Sequence, residues 1–338
     1  MLTMLLKAHS NTLNQLHSAQ QNPFYSVDYL MQARQQLILK LHAYNSEILQ
    51  VTLSAAQLLQ ALRDLNTGEV LASTLAEACL VTLLTSPKKL THECVAQLNE
   101  SDEKELPVKQ LLVEKLAIYC GRTQMAYAQT FDALKPIYFS QSAQHVELFK
   151  AFKQAVIELP TTKALFKTTN DFAELNLINS PLMSAYLLLL DQQRVNHVCN
   201  FASQALSREE ALQVMLHTGM PKYVPLVVSL LSDVEDAEPL INGIKRCLGA
   251  ELDNLVTYET QVQAQTDAQA IVDFQHQFNQ YWPEHESYYV GKTLVYGYAL
   301  NQPIDRVKQQ GVDQQSWQVL AILNALKMDS KNYQESVH

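Results

Sequence analysis

Two clusters of potential metal ligands occur in the chain, His92-Glu93-Cys94 and Glu284-His285-Glu286. Zinc needs ligands at spacings such as Cys-x-x-Cys or His-Glu-x-x-His, which bring side chains together. Adjacent residues on a helix point in different directions and cannot all converge on one ion. Both clusters therefore read as solvated polar residues, and no metal site is expected. A nucleophile would need a Ser or Cys on a strained turn with a His in reach. Gly-x-Ser-x-Gly is missing, and Cys199 and His197, two residues apart, face different sides of a helix. Gly291-Lys292-Thr293 lacks the upstream glycine of a phosphate-binding loop. No catalytic residue and no cofactor are assigned.

Two further groups suggest contact rather than catalysis. Asp233, Glu235, Asp236 and Glu238 crowd a short acidic turn. Acid–base work needs a carboxyl group in a dry pocket, whereas a turn between helices leaves these four solvated. Along one edge of a helical array they could present an acidic strip that speeds association with a basic partner. The stretch from Tyr281 to Tyr298 holds five tyrosines and a tryptophan in eighteen residues and breaks the helical rhythm. Large rings are mostly buried, which favours a packed non-helical plug, near 281–298, that closes the end of the array. The alternative is an exposed aromatic patch, where interface hot spots concentrate. Tyr281, Trp282, Tyr288, Tyr289, Tyr296 and Tyr298, with the four acidic residues, are the candidate protein-contact residues.

The elements that must position these groups read as helices. Only 8 of 338 residues are glycine and 47% are hydrophobic, a composition poor in turns and rich in helix formers. An all-α fold of stacked antiparallel helix hairpins follows. Apolar positions recur at helical spacing from Tyr29 to Tyr44 and from Ile48 to Leu62, and further helices are expected over Glu69 to Leu84, Pro107 to Cys120, Thr123 to Leu134 and Val146 to Leu159. The charged stretch 99–105 is a connector. A polar segment, 161–170, marks the boundary between an irregular helical region, 1–168, and a more regular one, 169–338. Ser180-Pro181 and Ser207 are helix starts. Leu226, Val227, Leu230 and Leu231 make one apolar stripe, and Leu240, Ile241, Ile244 and Leu248 make a facing one. Neither stripe is shielded unless hairpins pile on one another. Gly243, inside the second helix, permits close approach of a neighbour.

The run from Tyr223 to Gly249 resembles a HEAT repeat, with Pro225 in its first helix, Leu230-Leu231-Ser232-Asp233 at the end and Leu248-Gly249 closing the second. The order that follows is Trp282-Pro283, Gly291-Lys292-Thr293-Leu294, Leu300-Asn301-Gln302-Pro303-Ile304, then Gly311 and a helix from Gln315 to Leu326. It is similar to an uncharacterised bacterial HEAT-like family often encoded near type VI secretion genes. Ser316 and Trp317 stand where that family carries an Arg. The resemblance covers the C-terminal half and implies an alpha-solenoid there. It also implies a cytoplasmic accessory or adaptor role in that secretion system, and it brings no catalytic residues.

Charge narrows the partners. With 25 basic and 34 acidic side chains the formal charge is −9, and no basic run is longer than the two residues of Lys88-Lys89. Nucleic-acid binding, which draws its affinity from a basic face, is not expected. No stretch reaches the ~20 apolar residues of a membrane span, and the near-apolar patch from Met1 to Leu6 is shorter than the ~7–15 residues of a secretory core. Five dispersed cysteines fit reduced thiols. The expected role is a non-enzymatic, cytoplasmic protein-binding scaffold or effector chaperone. The competing readings are an immunity-type protein that neutralises a toxin through the acidic strip, and an enzyme with its site between helices.

Overall fold

The computed structural model of the protein describes residues 22–33, 142–300 and 311–336, with isolated positions at 15, 16, 18, 19, 36, 56 and 60. The helices expected across 37–134, the connector at 99–105, His92-Glu93-Cys94 and Pro303-Ile304 lie outside the described residues. The chain divides into two compact units: Met1–Gln21 with Asp28–Ser142, and Asn22–Val27 with Ala143–His338. In the first, Leu16 and Leu30 are buried; the account below concerns the second.

The described residues are mostly helical. The boundary between units falls after Ser142 rather than at 168, because the polar stretch is itself an amphipathic helix. Thr161 caps it, accepting from the Ala164 amide. Helix α1 is Ala143–Ile157 and α2 is Thr162–Glu174, with Leu165, Thr168, Thr169 and Phe172 turned inward. Helix α3, Pro181–Leu187, starts with the Ser180 hydroxyl accepting from the Met183 amide and with proline in its first turn. Asp191 caps α4, Gln192–Ala205. Ser207 and Glu210 form a reciprocal capping box on α5, Arg208–His217. Three rings fix the first corner: Phe152 lies 5.4 Å and Phe172 5.9 Å from Tyr186, centroid to centroid.

Helix α6, Val224–Ser229, is followed by a 3₁₀ turn, Leu231–Asp233, and by α7, Glu238–Leu248. The stripe through this first arm differs from the expected one. Val224, Val227, Val228 and Leu231 are buried whereas Leu226 is exposed; the buried set keeps the i, i+3, i+4, i+7 spacing of one helical face, and Leu226 lies off it. Helix α7 buries Leu240, Ile241, Ile244 and Leu248, and its chief neighbour is α5. The close approach at Gly243 is there: a Cβ would stand 2.7 Å from Leu216 Cδ1.

Helix α8, Tyr258–Gln263, packs on α9, Ala268–Tyr289. Here the expectation of a non-helical aromatic segment from 281 is corrected, because α9 runs through Pro283 to Tyr289. Proline within a helix costs ~3 kcal/mol. Against that, Ala270, Phe274, Phe278 and Trp282 recur every fourth residue and are all buried, so burial of three large side chains at ~1.5–3 kcal/mol each outweighs the penalty. Only after Val290 does the chain leave the helix. It forms an antiparallel hairpin, β1 (Leu294–Val295) and β2 (Tyr298–Ala299), with Leu294 opposite Ala299 and Val295 opposite Tyr298. Tyr296 and Gly297, at φ 52° and 79°, make its two-residue type I′ turn.

The hairpin is sewn to helix ends by main-chain bonds. The Leu294 amide donates to the Gly219 carbonyl (2.7 Å), Tyr296 to Arg246 (2.6 Å) and Gly297 to Cys247 (2.9 Å). These bonds satisfy carbonyls that a helix C-terminus otherwise leaves unpaired. Helix α10, Gln314–Ser336, then packs across α3 and α1, with Val319, Leu320, Ile322, Leu323 and Leu326 buried. Contacts from α1 to α2, α2 to α4, α4 to α5 and α5 to α7 follow chain order, as in a stack; the return of α10 to α1 does not.

The segment Asn22–Val27 is strapped across this unit. Ser26 bridges to Asp313, and the Val27 amide donates to the Val312 carbonyl at 3.0 Å. The Tyr296 hydroxyl donates to the Pro23 carbonyl at 3.0 Å, and Phe24 meets Tyr258 edge to face.

Candidate functional site

The six aromatic candidates divide by what covers them. Trp282 and Tyr289 are buried in a column of rings: Phe278 to Trp282 at 5.0 Å and Trp282 to Tyr289 at 5.3 Å, both stacked. Tyr296 and Tyr298 are half-buried in the hairpin. Burial pushes the Tyr289 phenol up to about 12 and raises that of Tyr296 further, so both stay neutral. Tyr281 and Tyr288 remain outside, 41% and 59% exposed, next to Val290 at 76%. Seven residues apart on α9, they lie on one face, about 10 Å from each other. Gln277, one turn before Tyr281, is covered: it accepts from the Thr257 amide (2.9 Å) and donates to the Thr260 hydroxyl (3.1 Å). The aromatic face thus opens where α8 ceases to cover α9. Tyr288 leans edge-on against Tyr289 at 5.1 Å, and the Lys292 ammonium sits 3.1 Å from its ring centroid.

The acidic candidates are where a turn was expected. Asp233, Glu235, Asp236 and Glu238 are all exposed. Asp233 is 3.7 Å from the Arg208 guanidinium, Asp236 accepts from the Glu238 amide, and Glu238 accepts from Asn242. This turn is tied to α9 through Ser232, which donates to Gln275 at 2.8 Å. Gln275 is thirteen residues from Tyr288, ~20 Å along the helix and about 140° around it. The two candidate surfaces therefore do not merge into one.

A third site escaped the sequence reading. Between α3, α5, α7 and the start of α10, under β1, lies a cavity of about 30 Å³ whose polar wall is Ser184, His217, Arg246, Gln315 and Ser316. Ser184 Oγ is 2.5 Å from His217 Nδ1. Burial, reinforced by the charge of Arg246, lowers the imidazole's pKa to about 3. Arg246 Nε stands 3.4 Å from Asp313 Oδ1, with Asp313 fully enclosed. The same oxygen accepts the Gln315 and Ser316 amides at 3.0 and 3.3 Å, so Asp313 is at once counter-ion and N-cap of α10. Asp313 Oδ2 and Gln315 Nε2 are buried with no hydrogen-bond partner in the protein.

The Ser184–His217 pair has the contact of a nucleophile and its base, but not the electrostatics. A base must hold the proton it takes, and a neighbouring guanidinium opposes an imidazolium. Ser184 is also mid-helix rather than on a strained turn. Cys199 and Cys247 are buried free thiols, and burial pushes that of Cys247 up to about 12, which leaves it protonated and unreactive. Among the described residues no three His, Cys, Asp or Glu side chains stand close enough to hold a metal ion, and no helix is long and apolar enough to cross a membrane.

His217 follows buried Val214 by three residues, whereas Arg246 falls on the side of α7 opposite the stripe of Leu240, Ile241, Ile244 and Leu248, so no single periodic pattern in the sequence marked this cavity. Comparison of the chain with family models, with curated proteins and with solved structures finds no match.

Proposed function

We propose that the chain is a non-catalytic protein-binding scaffold whose contact surface is the aromatic end of α9. What carries the reading is the pair Tyr281 and Tyr288, exposed on one face of α9, with Tyr288 set against Tyr289 at the end of the Phe278–Trp282–Tyr289 column. Rings held in advance by packing lose little conformational freedom on binding, which is what makes tyrosine an effective anchor. The low basicity of His217 also favours binding over catalysis. The broader frame is a HEAT-like array of helix hairpins acting in the cytoplasm as an adaptor or effector chaperone of a bacterial type VI secretion system. The chain-order packing from α1 to α7 supports the array.

Affinity purification of the full chain from its native host, followed by mass spectrometry, tests this against a Tyr281→Ser/Tyr288→Ser variant. Loss of two anchor rings should weaken capture at least ~10-fold. Identical partner sets for both proteins would refute the aromatic surface. If Glu235→Lys/Asp236→Lys alone abolished capture of a single toxin-like protein, the immunity reading would replace it.

A further inference from the structure

The forty residues from Glu251 to Val290, which hold α8 and α9, carry seven carboxylates and not one lysine or arginine. Asp253, one of the seven, is matched from outside the stretch: it takes the buried Lys245 ammonium at 2.7 Å. The first cation beyond the stretch is Lys292, and it is already committed, its ammonium 3.1 Å from the centroid of the Tyr288 ring. The aromatic end of α9 therefore lies in a strongly anionic part of the chain, and the cation nearest to it in sequence is spent on a ring.

Tyr281, Glu284 and Tyr288 recur at i, i+3 and i+7 and share one face of α9. The carboxylate stands between the two rings, one turn from each, with neighbouring Cβ atoms ~5–6 Å apart. All three side chains are exposed. Tyr288 has Tyr289 at its edge and Lys292 over its face. Tyr281 has neither a ring nor a cation beside it, and Glu284 has no ion pair, among the described residues. A ring face attracts a cation through its quadrupole, and an exposed carboxylate one turn away attracts the same charge. Arginine answers both at once, because its planar guanidinium stacks on a ring while its N–H fork donates to a carboxylate; the ammonium of lysine has no such plane. We propose that the partner of this surface is a basic amphipathic segment, whose arginine stacks on Tyr281 and donates to Glu284 while its apolar side chains cover Tyr288 and Val290. The inference rests on the scaffold reading and names the chemistry of the partner. The carboxylates along 251–290 steer such a segment inward and repel an acidic protein or a nucleic acid.

The test uses the full-length protein and three fluorescein-labelled peptides of one short, leucine-containing amphipathic design, whose polar positions are all arginine, all glutamine or all glutamate. Binding is read by fluorescence anisotropy at physiological ionic strength. The arginine peptide should bind at least ~10-fold more tightly than the glutamine peptide, and the glutamate peptide should bind weakest. Glu284→Lys should weaken the arginine peptide at least ~10-fold and leave the glutamine peptide unchanged. Glu235→Lys makes the same change of net charge at an exposed position in the acidic turn, beyond a Debye length of ~8 Å, and should weaken it less than ~2-fold. Equal losses in Glu284→Lys and Glu235→Lys would mean that net charge alone draws the peptide and would overturn the proposal, as would failure of the arginine peptide to bind. If the arginine and glutamine peptides bind equally and both are lost in Tyr281→Ser/Tyr288→Ser, the surface docks partners without regard to charge: the scaffold reading stands and this inference falls. If the arginine peptide binds Tyr281→Ser/Tyr288→Ser as tightly as the natural protein, it binds elsewhere and the inference falls as well.

Discussion

Acid should destabilise the 143–338 unit through His217, by an amount the structure fixes. In an unfolded chain the imidazole titrates near 6.5; in the fold, burial and Arg246 lower it to about 3. Its folded pKa is depressed, so between pH 6.5 and 3 the unfolded state binds the extra proton and stability falls as pH falls. From pH 7.5 to 5.0 the unfolded imidazole goes from mostly neutral to mostly charged while the folded one stays neutral. The loss is ~1.5 pK units, or about 2 kcal/mol at 1.36 kcal/mol per unit. For a unit of this size that lowers the melting temperature by ~4–8 °C. Carboxylates add their own acid dependence, so the measurement is a difference of differences. Thermal melts by circular dichroism at pH 7.5 and 5.0 are compared for the natural protein and His217→Gln, which keeps an acceptor for Ser184 but cannot titrate. The variant should lose about 2 kcal/mol less over this range. If the two proteins lose stability equally, to within ~0.5 kcal/mol, His217 is not held neutral and the description of the cavity fails.

Three further substitutions have defined outcomes. Asp313→Ala removes the carboxylate facing Arg246 and uncaps α10, which should cost ~3–5 kcal/mol, read as a lower urea midpoint; a double change to Asp313→Leu/Arg246→Met should recover much of it. Gly249→Ala would place a methyl 2.2 Å from the Tyr296 carbonyl oxygen at φ +61° and should cost more than ~2 kcal/mol. Gly291→Ala, at φ +69° with nothing within 4 Å, should cost only the ~1 kcal/mol of a left-handed alanine, by the same denaturation assay.

Local signals in the sequence were reliable where they act locally. Ser180, Ser207, Pro181 and Gly243 did what their chemistry requires within one turn or one contact. The aromatic stretch from Tyr281 misled because its composition was read locally, whereas the helix that runs into it is held by burial at 274, 278 and 282. The stripe expected through Leu226 missed because the buried face of α6 runs through Val224, Val227, Val228 and Leu231 instead. The cavity was illegible for a different reason. Ser184, His217, Arg246 and Gln315 lie at least 29 residues apart, and each is ordinary in its own helix. Only tertiary packing sets a serine against an imidazole and a guanidinium against an N-cap. Which of the aromatic candidates stay outside depends on where the first turn of α8 meets α9, and no residue in 281–298 encodes that.

The strap at Asn22–Val27 bears on how the protein is made. Its partners, the Val312 carbonyl that accepts from Val27 and the Tyr296 hydroxyl that donates to Pro23, are translated some 270–290 residues after it. At ~5–20 residues per second a ribosome needs on the order of 15–60 seconds to travel from one to the other. During that interval Pro23 and Phe24 have no place to dock, and closing so long a loop is among the slow, non-local steps of folding. A nascent chain of this protein spends most of its synthesis with Pro23, Phe24 and Val27 of the strap bare, a natural landing place for a chaperone at the exit tunnel.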